Sequence, residues 1–314
     1  MIRTTIAAAM LLFPVSLPAV AQDYPTKPIE IIVPSSAGGS TDATARIFGE
    51  IAEQKFPGFK FVVQNVDGSG GQKGFEEIAR AKPDGYTMGL VFTPQLVAHV
   101  AAGRAKYALD SFHVIGNVAD DAGILAVPKD SPIKDVAGFT EAAKAGALTV
   151  AVNGIGSDDF LAAKAWEKNA GVTFNLLPTN GSTEQKAGVL GGHVDAAFMN
   201  VSQLLSQHKS GEARILAVLT TERLPALPDV PTAKEAGMDV EMRATRGFVT
   251  PKDVPADIQA KLDQVVTETV ADPGFVEKST AGGIDLLPMS GADYLTYLTD
   301  LQGETKAVFD AAPW

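Results

Sequence analysis

The pattern of hydrophobic and polar positions first predicts structure at a short, mostly apolar segment. A turn of small residues follows it, and then an amphipathic segment. Residues 29–33 form an apolar run typical of a buried strand. Pro34 ends this strand because proline has no backbone N–H for a sheet ladder. Apolar residues then recur at helical spacing through 47–51, and Ser40 or Thr41 can cap the predicted helix.

The turn between this strand and helix suits an anion. Gly38 and Gly39 allow backbone angles that other residues resist. A strand that leads through small residues into a helix leaves unpaired N–H groups at the helix start, where an anion can bind. Taken alone, the segment from Val33 to Asp42 favours phosphate.

The next segments repeat the order of strand, turn and helix, which is typical of a parallel sheet with crossover helices. We predict strands over 60–65 and 86–92 and a helix over about 75–81. Ligands of open α/β sheets bind beyond the carboxyl ends of the strands. Thr93 and Gln95 follow the third strand and are therefore candidates.

The pattern restarts after the proline-containing segment 128–132, which predicts a second α/β lobe inserted into the first. The C-terminal helices could return to the first lobe. The predicted strands cover 124–127, 148–152, 174–177, 195–199, 215–220 and the extended segment 241–250; the predicted helices cover 136–145, 159–170, 184–190, 258–271 and 292–309.

The second lobe contains a turn of the same design as the first. Residues 152–159 again pass from a strand end through glycine and serine to aspartate and a helix. Two such turns that face each other across a cleft would clamp a small anion. Thr179, Asn180 and Asn200 follow strands of this lobe and join the candidates.

The N-terminal residues predict an export signal. Arg3 precedes a mostly apolar run over 6–17, and Ala19-Val-Ala21 is a small-residue cleavage site. We expect cleavage after Ala21 and a periplasmic protein; the alternative is a retained N-terminal anchor.

Composition excludes several classes of protein. The chain has no cysteine, so disulfides, thiolate metal sites and cysteine nucleophiles are excluded. Its formal charge of -11, without a basic cluster, argues against nucleic acid and anionic lipid as partners.

Motifs for cofactors and catalysis are missing from the sequence. No P-loop and no Gly-x-Ser-x-Gly elbow occur, and the four histidines do not have metal-ligand spacing. A partial dinucleotide fingerprint at Gly68-x-Gly70 has Lys73 in place of its third glycine. We therefore expect no cofactor, no metal and no catalytic residue.

Several short motifs along the whole mature chain resemble the receptors of tripartite tricarboxylate transporters, which are the TctC or Bug-type periplasmic solute-binding proteins. These motifs are Tyr24-Pro-x-Lys-Pro28, Val33-Pro34 with Gly38-Gly39-x-x-Asp42, Gly70-Gly71, Lys82-Pro-Asp-Gly-Tyr-Thr87, Leu190-Gly-Gly-x-Val-Asp195 and Leu227-Pro-Asp-Val-Pro-Thr232 with Glu235-Ala-Gly237.

The resemblance implies an α/β fold of two lobes, of the type II periplasmic-binding-protein or Venus-flytrap kind, with a ligand cleft between the lobes. We expect a signal peptide over 1–21, a first lobe over 22–124, an inserted second lobe over 125–247 and a return to the first lobe over 248–314. The resemblance also implies a carboxylate ligand and a membrane permease of one large and one small subunit. We expect the receptor itself to be a monomer.

The resemblance further implies two pincer loops, which hold ligands by backbone amides and hydroxyls. The candidate residues are Ser35, Ser36, Ala37, Gly38, Gly39, Ser40 and Asp42 of the first loop, Gly154, Ile155, Gly156, Ser157 and Asp158 of the second, and Thr93, Gln95, Thr179, Asn180, Asn200 and Arg246 elsewhere.

Two departures from the common family pattern affect the expected ligand. Asp158 and Asp159 follow the second pincer, where many relatives have Ser or Thr and a histidine, and Arg246 replaces an aromatic residue. The acids could simply be stabilised by the positive end of the helix dipole, or they could bind an amine, hydroxyl or bridging water of the ligand. The same two interpretations apply to Asp42. Arg246 could pair with Asp158, bind a ligand carboxylate or be exposed to solvent.

The sequence therefore predicts a receptor for a small carboxylate, which could be a di- or tricarboxylate or an aromatic or amino carboxylate. The two acids weaken the tricarboxylate interpretation. One alternative is an exported hydrolase that uses Ser36, Ser40 or Ser157, although no histidine lies near these loops in the sequence. The other is a ligand sensor that signals instead of feeding transport.

Overall fold

The computed structural model describes residues 24–311 and 313–314. The predicted signal peptide and its cleavage site lie outside the described residues. The strands are β1 (Ile29–Val33), β2 (Phe61–Asn65), β3 (Thr87–Phe92), β4 (Phe112–Pro128), β5 (Thr149–Val152), β6 (Asn175–Pro178), β7 (Ala196–Asn200), β8 (Ala213–Val218), β9 (Arg243–Pro251) and β10 (Asp285–Ser290). The helices are α1 (Ser40–Lys55), α2 (Gln72–Arg80), α3 (Gln95–Ala101), α4 (Val136–Ala145), α5 (Asp158–Ala170), α6 (Ser182–Leu190), α7 (Val201–Lys209), α8 (Ala256–Val270), α9 (Pro273–Ala281) and α10 (Gly291–Ala311).

The first lobe is built on β1, which lies between β2 and β3 and is parallel to both. β9 pairs antiparallel with β3 on one side and with the first part of β4 on the other. β10 pairs with the opposite edge of β4. The carboxyl ends of β1 and β3 therefore meet at one edge of the sheet, where α1 and α3 begin.

The second lobe repeats this arrangement with β5 at its centre. β5 is parallel to β6 and β7, and β7 pairs antiparallel with the last part of β4. β8 pairs with the other edge of β4. The helices α5, α6 and α7 follow the carboxyl ends of β5, β6 and β7, so their N-termini lie at one edge of this sheet.

Two strands connect the lobes. β4 pairs through Phe112–Ala122 with β9 in the first lobe and through 123–128 with β7 and β8 in the second. β9 brings the chain back into the first lobe. The predicted borders at 124 and 247 fall within β4 and β9, and the exact division of the chain remains a prediction.

Each lobe has its own apolar core. In the second, Trp166 is fully buried against Phe139 and Phe198. In the first, Phe48 packs against Phe248, so β9 holds α1 on the sheet. Burial of a large side chain of this kind stabilises a fold by about 1.5–3 kcal/mol.

The structure confirms the predicted elements that carry strong periodicity, with end points that shift by a few residues. The helix predicted over 136–145 matches α4, and the extended segment predicted over 241–250 contains most of β9. The sequence did not predict α3, α7, α9, β10 or the first part of β4. Within the described residues, no helix is long and apolar enough to span a bilayer, and no cluster of acidic or histidine side chains could hold a metal ion.

Candidate ligand-binding site

A cavity of about 20 Å³ lies between the lobes, at the carboxyl ends of the strands of both sheets. This volume is close to that of a single water site. The lining residues are Ser35, Ser40, Thr41, Phe92, Gln95, Asn153, Asp158, Ser182, Asn200, Gln203, Ala244 and Arg246. All but Phe92 and Ala244 have polar side chains.

Four helices of nine residues or more start at this cavity. α1 begins at Ser40, α5 at Asp158 and α6 at Ser182, and Asn200 is the N-cap of α7. The shorter α3 also begins there, at Gln95. The N–H groups of a first turn have no partner within their own helix, and each N-terminus presents the positive end of a helix dipole. The combined field of these helices favours a negative charge in the cavity.

Arg246 is the one cation in the cavity lining, and it is 2% exposed. Its Nη2 donates to Asp121 at 2.6 Å and to the Ser40 hydroxyl at 2.9 Å. Its Nε donates to the Thr41 hydroxyl at 3.3 Å. Arg246 therefore connects β9 to β4 and to the start of α1.

Asp121 neutralises Arg246 from behind the cavity. The Asp121 side chain is fully buried, and it also accepts hydrogen bonds from the Ser202 backbone and hydroxyl at the start of α7. Among the described residues Arg246 forms its ion pair with Asp121, so the alternative in which it pairs with Asp158 is wrong. β4 and β9 are neighbouring strands, and this brings Asp121 next to the guanidinium.

Asp158 faces the cavity from the second lobe. Its Oδ2 accepts a hydrogen bond of 2.8 Å from Asn200 Nδ2, which also donates to the Asp121 carbonyl. The Gln203 side chain in turn donates to Asn200 Oδ1 at 2.9 Å. These bonds fix the carboxylate of Asp158 against the start of α7.

Burial changes the protonation of the two neighbouring acids of α5. It raises the pKa of Asp158 to about 6, against the opposing effects of the Asn200 hydrogen bond and the Arg246 charge. Burial, together with the charge of Asp158, raises the pKa of Asp159 well above its ordinary value. Both effects oppose the ionisation of Asp159, whereas Asp158, with a pKa of about 6, is mostly ionised at neutral pH.

Three buried polar atoms of the lining have no hydrogen-bond partner among residues 24–311 and 313–314. They are Arg246 Nη1, Gln95 Oε1 and Ser35 Oγ. Buried polar groups are normally paired, because an unpaired one costs about 1–3 kcal/mol. A ligand can therefore contact the Nη1 nitrogen of the Arg246 guanidinium, the amide oxygen of Gln95 and the hydroxyl of Ser35.

The lobes also touch each other around the cavity. Thr183 donates from its hydroxyl to the Ala37 carbonyl at 3.2 Å. A Cβ on Gly39 would lie 2.7 Å from the Ser182 hydroxyl, and one on Gly154 would lie 3.1 Å from Gly70 Cα. Glycines of both pincer loops therefore lie close to the opposite lobe.

The structure brings six of the predicted site residues into the cavity lining. They are Ser35, Ser40, Gln95, Asp158, Asn200 and Arg246. Ser36, Ala37, Gly38, Gly39, Gly154 and Gly156 form the surrounding loops, outside the lining.

The other predicted site residues lie outside the lining, and most of them contact other residues of the protein. Asp42 accepts from the Gly38 amide at 2.9 Å and forms an ion pair with Arg46, and the bond with Arg46 lowers its pKa against the effect of burial. Thr93 bonds to the Thr245 hydroxyl. The remaining four are Ser157, which caps α5, Thr179, which bonds to backbone carbonyls, Asn180, whose amide bonds to Glu184, and the exposed Ile155.

Sequence reasoning missed Asp121, the partner of Arg246. A signal was present, because Asp120 and Asp121 interrupt an otherwise apolar segment over 118–127. A carboxylate inside a buried strand requires a cation or several donors. Ser182 and Gln203 gave no comparable signal, since their positions depend on helices that pack from distant parts of the sequence.

A family model described as the tripartite tricarboxylate transporter family receptor, TctC, matches residues 45–312. Protein BugT of Bordetella pertussis is 31% identical over 276 residues, which cover 86% of this chain and 84% of that protein.

Two solved structures show the same fold. The periplasmic binding protein BugD matches with a TM-score of 0.85 and 28% identity, over 92% of this chain and 98% of that one. MatC from Rhodopseudomonas palustris, with bound malate, matches with a TM-score of 0.84 over 91% of this chain and 99% of that one. MatC is 23% identical to this chain, so its likeness is one of fold.

Proposed function

This chain belongs to the family of tripartite tricarboxylate transporter receptors, and we propose that it captures a small carboxylate between its two lobes. The observation that carries the proposal is the unpaired Nη1 of Arg246, among the described residues, in a cavity where four helices begin. A guanidinium and helix N-termini are the groups that bind carboxylates in proteins. The group is buried, so its interaction with an anion is only weakly screened by solvent.

Capture requires that the ligand contact both lobes. Ser40 begins α1 of the first lobe, and Arg246 lies on the connecting strand β9, where it pairs with Phe92 of β3. Asp158, Ser182 and Asn200 lie at the starts of helices of the second lobe. A ligand that bridges these groups stabilises the closed arrangement over the open one, since only the closed arrangement offers both sets of contacts. A permease could then recognise the closed form.

The serines proposed for a hydrolase are engaged in other contacts, which favours the receptor. Ser157 is fully buried and its hydroxyl accepts the Phe160 amide as the cap of α5. The Ser40 hydroxyl accepts from Arg246, and Ser36 lies against Gly181 of the opposite lobe. A sensor would share the same binding step as a transport receptor.

The proposal is tested by thermal-shift screening, followed by calorimetry, with malate, succinate, citrate, benzoate and aspartate. Malate is included because MatC, which shares the fold, is described with it. At least one carboxylate is expected to raise the melting temperature and bind with a single site per chain. If none does, the carboxylate receptor is refuted; release of product from an ester, lost in Ser157→Ala, would favour the hydrolase.

Arg246→Lys isolates the guanidinium. Lysine keeps the positive charge beside Asp121 but lacks the second planar N–H group, so a ligand carboxylate loses a charge-assisted hydrogen bond. We expect weaker binding by about 1.5–3 kcal/mol in calorimetry. Arg46→Lys is the matched control, because Arg46 lies on α1 outside the lining and about half of its side chain is exposed. Equal affinity of the two variants would contradict a ligand contact by Arg246.

Export and the transporter partnership are separate parts of the proposal. The mature periplasmic protein is expected to begin at Gln22, which mass spectrometry of the periplasmic fraction tests. The ligand-loaded receptor is expected to bind a permease of one large and one small subunit. Ligand uptake that is independent of such a permease would favour the sensor.

A further inference from the structure

The cavity wall contains more acid than base. Arg246 is the one cation among its described lining residues, and the carboxyl groups of Asp121, Asp158 and Asp159 are all buried within or directly behind the wall. A carboxylate ligand adds a further negative charge to this group. Buried charges that are not compensated are expensive, so the protonation of the wall must depend on the ligand.

The charges of the wall can be assigned from its contacts. Asp121 and Arg246 form an ion pair at 2.6 Å and compensate one another. Asp159 lies outside the lining and accepts at Oδ2 from the Asn153 amide and from Gln185, and burial raises its pKa well above the ordinary value. Asp158 is the one carboxyl among the described lining residues, and no cation of the described residues forms an ion pair with it.

The groups that face Asp158 come from six elements, its own helix included. Of these, Arg246 on β9, Asp121 on β4 and Asp159 on α5 can carry charge. The uncharged ones are Asn200 and Gln203 at the start of α7, Ser40 and Thr41 at the start of α1, and Gln95 at the start of α3.

We propose that the cavity takes up a proton together with its carboxylate ligand, and that Asp158 is the group that binds this proton. The inference rests on the proposed function. A ligand carboxylate on Arg246 Nη1 shares the small cavity with the Asp158 carboxyl. Two carboxylates in one buried site hold a proton between them, because like charges at short distance raise the pKa of one of them. The pKa of Asp158 is already raised to about 6, so protonation of this carboxyl near neutral pH costs little free energy.

A dependence of affinity on pH follows. Between the pKa of Asp158 in the free receptor and its raised pKa in the complex, each binding event takes up to one proton from solvent. The dissociation constant then rises by up to about tenfold per pH unit, since one pKa unit corresponds to a tenfold change. Below that pKa the proton is already present and the dependence disappears.

Calorimetry measures the proton directly. Malate, succinate and benzoate serve as probes because they have no amine that could compensate Asp158. Titrations at about pH 7.5 in Hepes and in Tris, neither of which is a small anion like the ligand, differ in heat by the number of protons taken up multiplied by the difference in the ionisation enthalpies of the two buffers. We expect this number to approach one per ligand. A dissociation constant that is independent of pH, with equal heats in both buffers, would overturn the proposal.

Asp158→Asn tests the assignment of the proton. Asparagine can still accept the hydrogen bond of Asn200 through its amide oxygen, and it cannot titrate. We expect no proton uptake and a flat pH profile, with melting curves that verify folding. Proton uptake that persists in this variant would overturn the role of Asp158.

Asp159→Asn is the matched control. Asp159 neighbours Asp158 on the same helix and is also buried, but it lies outside the lining, where a ligand carboxylate does not reach it. This variant is expected to keep the proton uptake of the parent; loss of uptake here would move the proton to Asp159. If none of the three probes binds either variant or the parent at any pH, the carboxylate function itself fails, and that result is distinct from binding without a proton.

Discussion

Arg246 combines two roles that the sequence presented as alternatives. One nitrogen of its guanidinium forms the buried ion pair with Asp121, and another is unpaired within the described residues and faces the cavity. A buried ion pair contributes little net stability, because desolvation offsets the attraction. Its value here is to hold a cation at a fixed place beneath the four helix N-termini.

Asp121→Asn should therefore destabilise the fold strongly. The variant leaves the Arg246 charge buried without its partner, and we expect a loss of about 3–5 kcal/mol in urea unfolding. Adding Arg246→Met removes the uncompensated charge and should recover a large part of this loss. The introduced amide can accept from the Ser202 backbone through its oxygen and donate to the Ser202 hydroxyl through its nitrogen. A double variant that is no more stable than Asp121→Asn would contradict this account.

At the scale of elements, the two pincer helices begin in different ways. α1 has Gly39 as its N-cap and no side-chain cap, whereas the Ser157 hydroxyl caps α5 by accepting the Phe160 amide at 2.9 Å. The cap fixes the first turn that carries Asp158. Ser157 therefore acts on the site through the helix, from outside the cavity lining.

Ser157→Ala is expected to cost about 1 kcal/mol of stability, because the Phe160 amide loses its partner. The matched control is Asp135→Ala, which removes the cap of α4 at the Gly138 amide, outside the cavity lining. Both variants should lower stability by similar amounts in urea unfolding. Calorimetry should show weaker carboxylate binding for Ser157→Ala and unchanged binding for Asp135→Ala. Equal affinities of the two variants would contradict an influence of the Ser157 cap on the site.

The elements that the sequence did not predict share a physical cause. The first part of β4 and β10 are strands because they pair with each other and, for β4, with β9. Asp285 and Asp120 are paired neighbours although the sequence separates them widely. β10 is also largely exposed, so it lacks the apolar run by which a strand is recognised.

At the scale of the whole molecule, small residues set how closely the lobes meet. Gly39 has ordinary backbone angles, which alanine also adopts, and the limit is the space in front of it. The Ser182 hydroxyl of the opposite lobe would lie 2.7 Å from an added Cβ. Glycine at this position permits the contact between the start of α1 and the start of α6.

Gly39→Ala is expected to hinder closure by about 1–3 kcal/mol, the usual cost of overpacking, and thus to weaken carboxylate binding. Ser182→Ala removes the clashing hydroxyl, so it should harm binding less in the Gly39→Ala background than in the parent. Calorimetry on the four proteins of this double-mutant cycle measures the coupling. Additive effects would contradict a steric contact between the two residues.

The sequence by itself determined the features that depend on neighbouring residues. Apolar periodicity indicated the alternating strands and helices, and the glycine and serine turns indicated helix starts suited to an anion. The ordered motifs indicated the family, to which the chain belongs. These features are local, since each rests on residues within a few positions of one another.

Only the tertiary structure decided how the charges are distributed. It paired Arg246 with Asp121, bound Asp158 to Asn200 and kept Asp42 beside Arg46 on α1. It also placed Asp158 in the cavity lining and Asp159 outside it, although the two aspartates are adjacent in the sequence. The reason is that burial and partners set the state of a charge, and both come from strands and helices that meet only after the chain has folded.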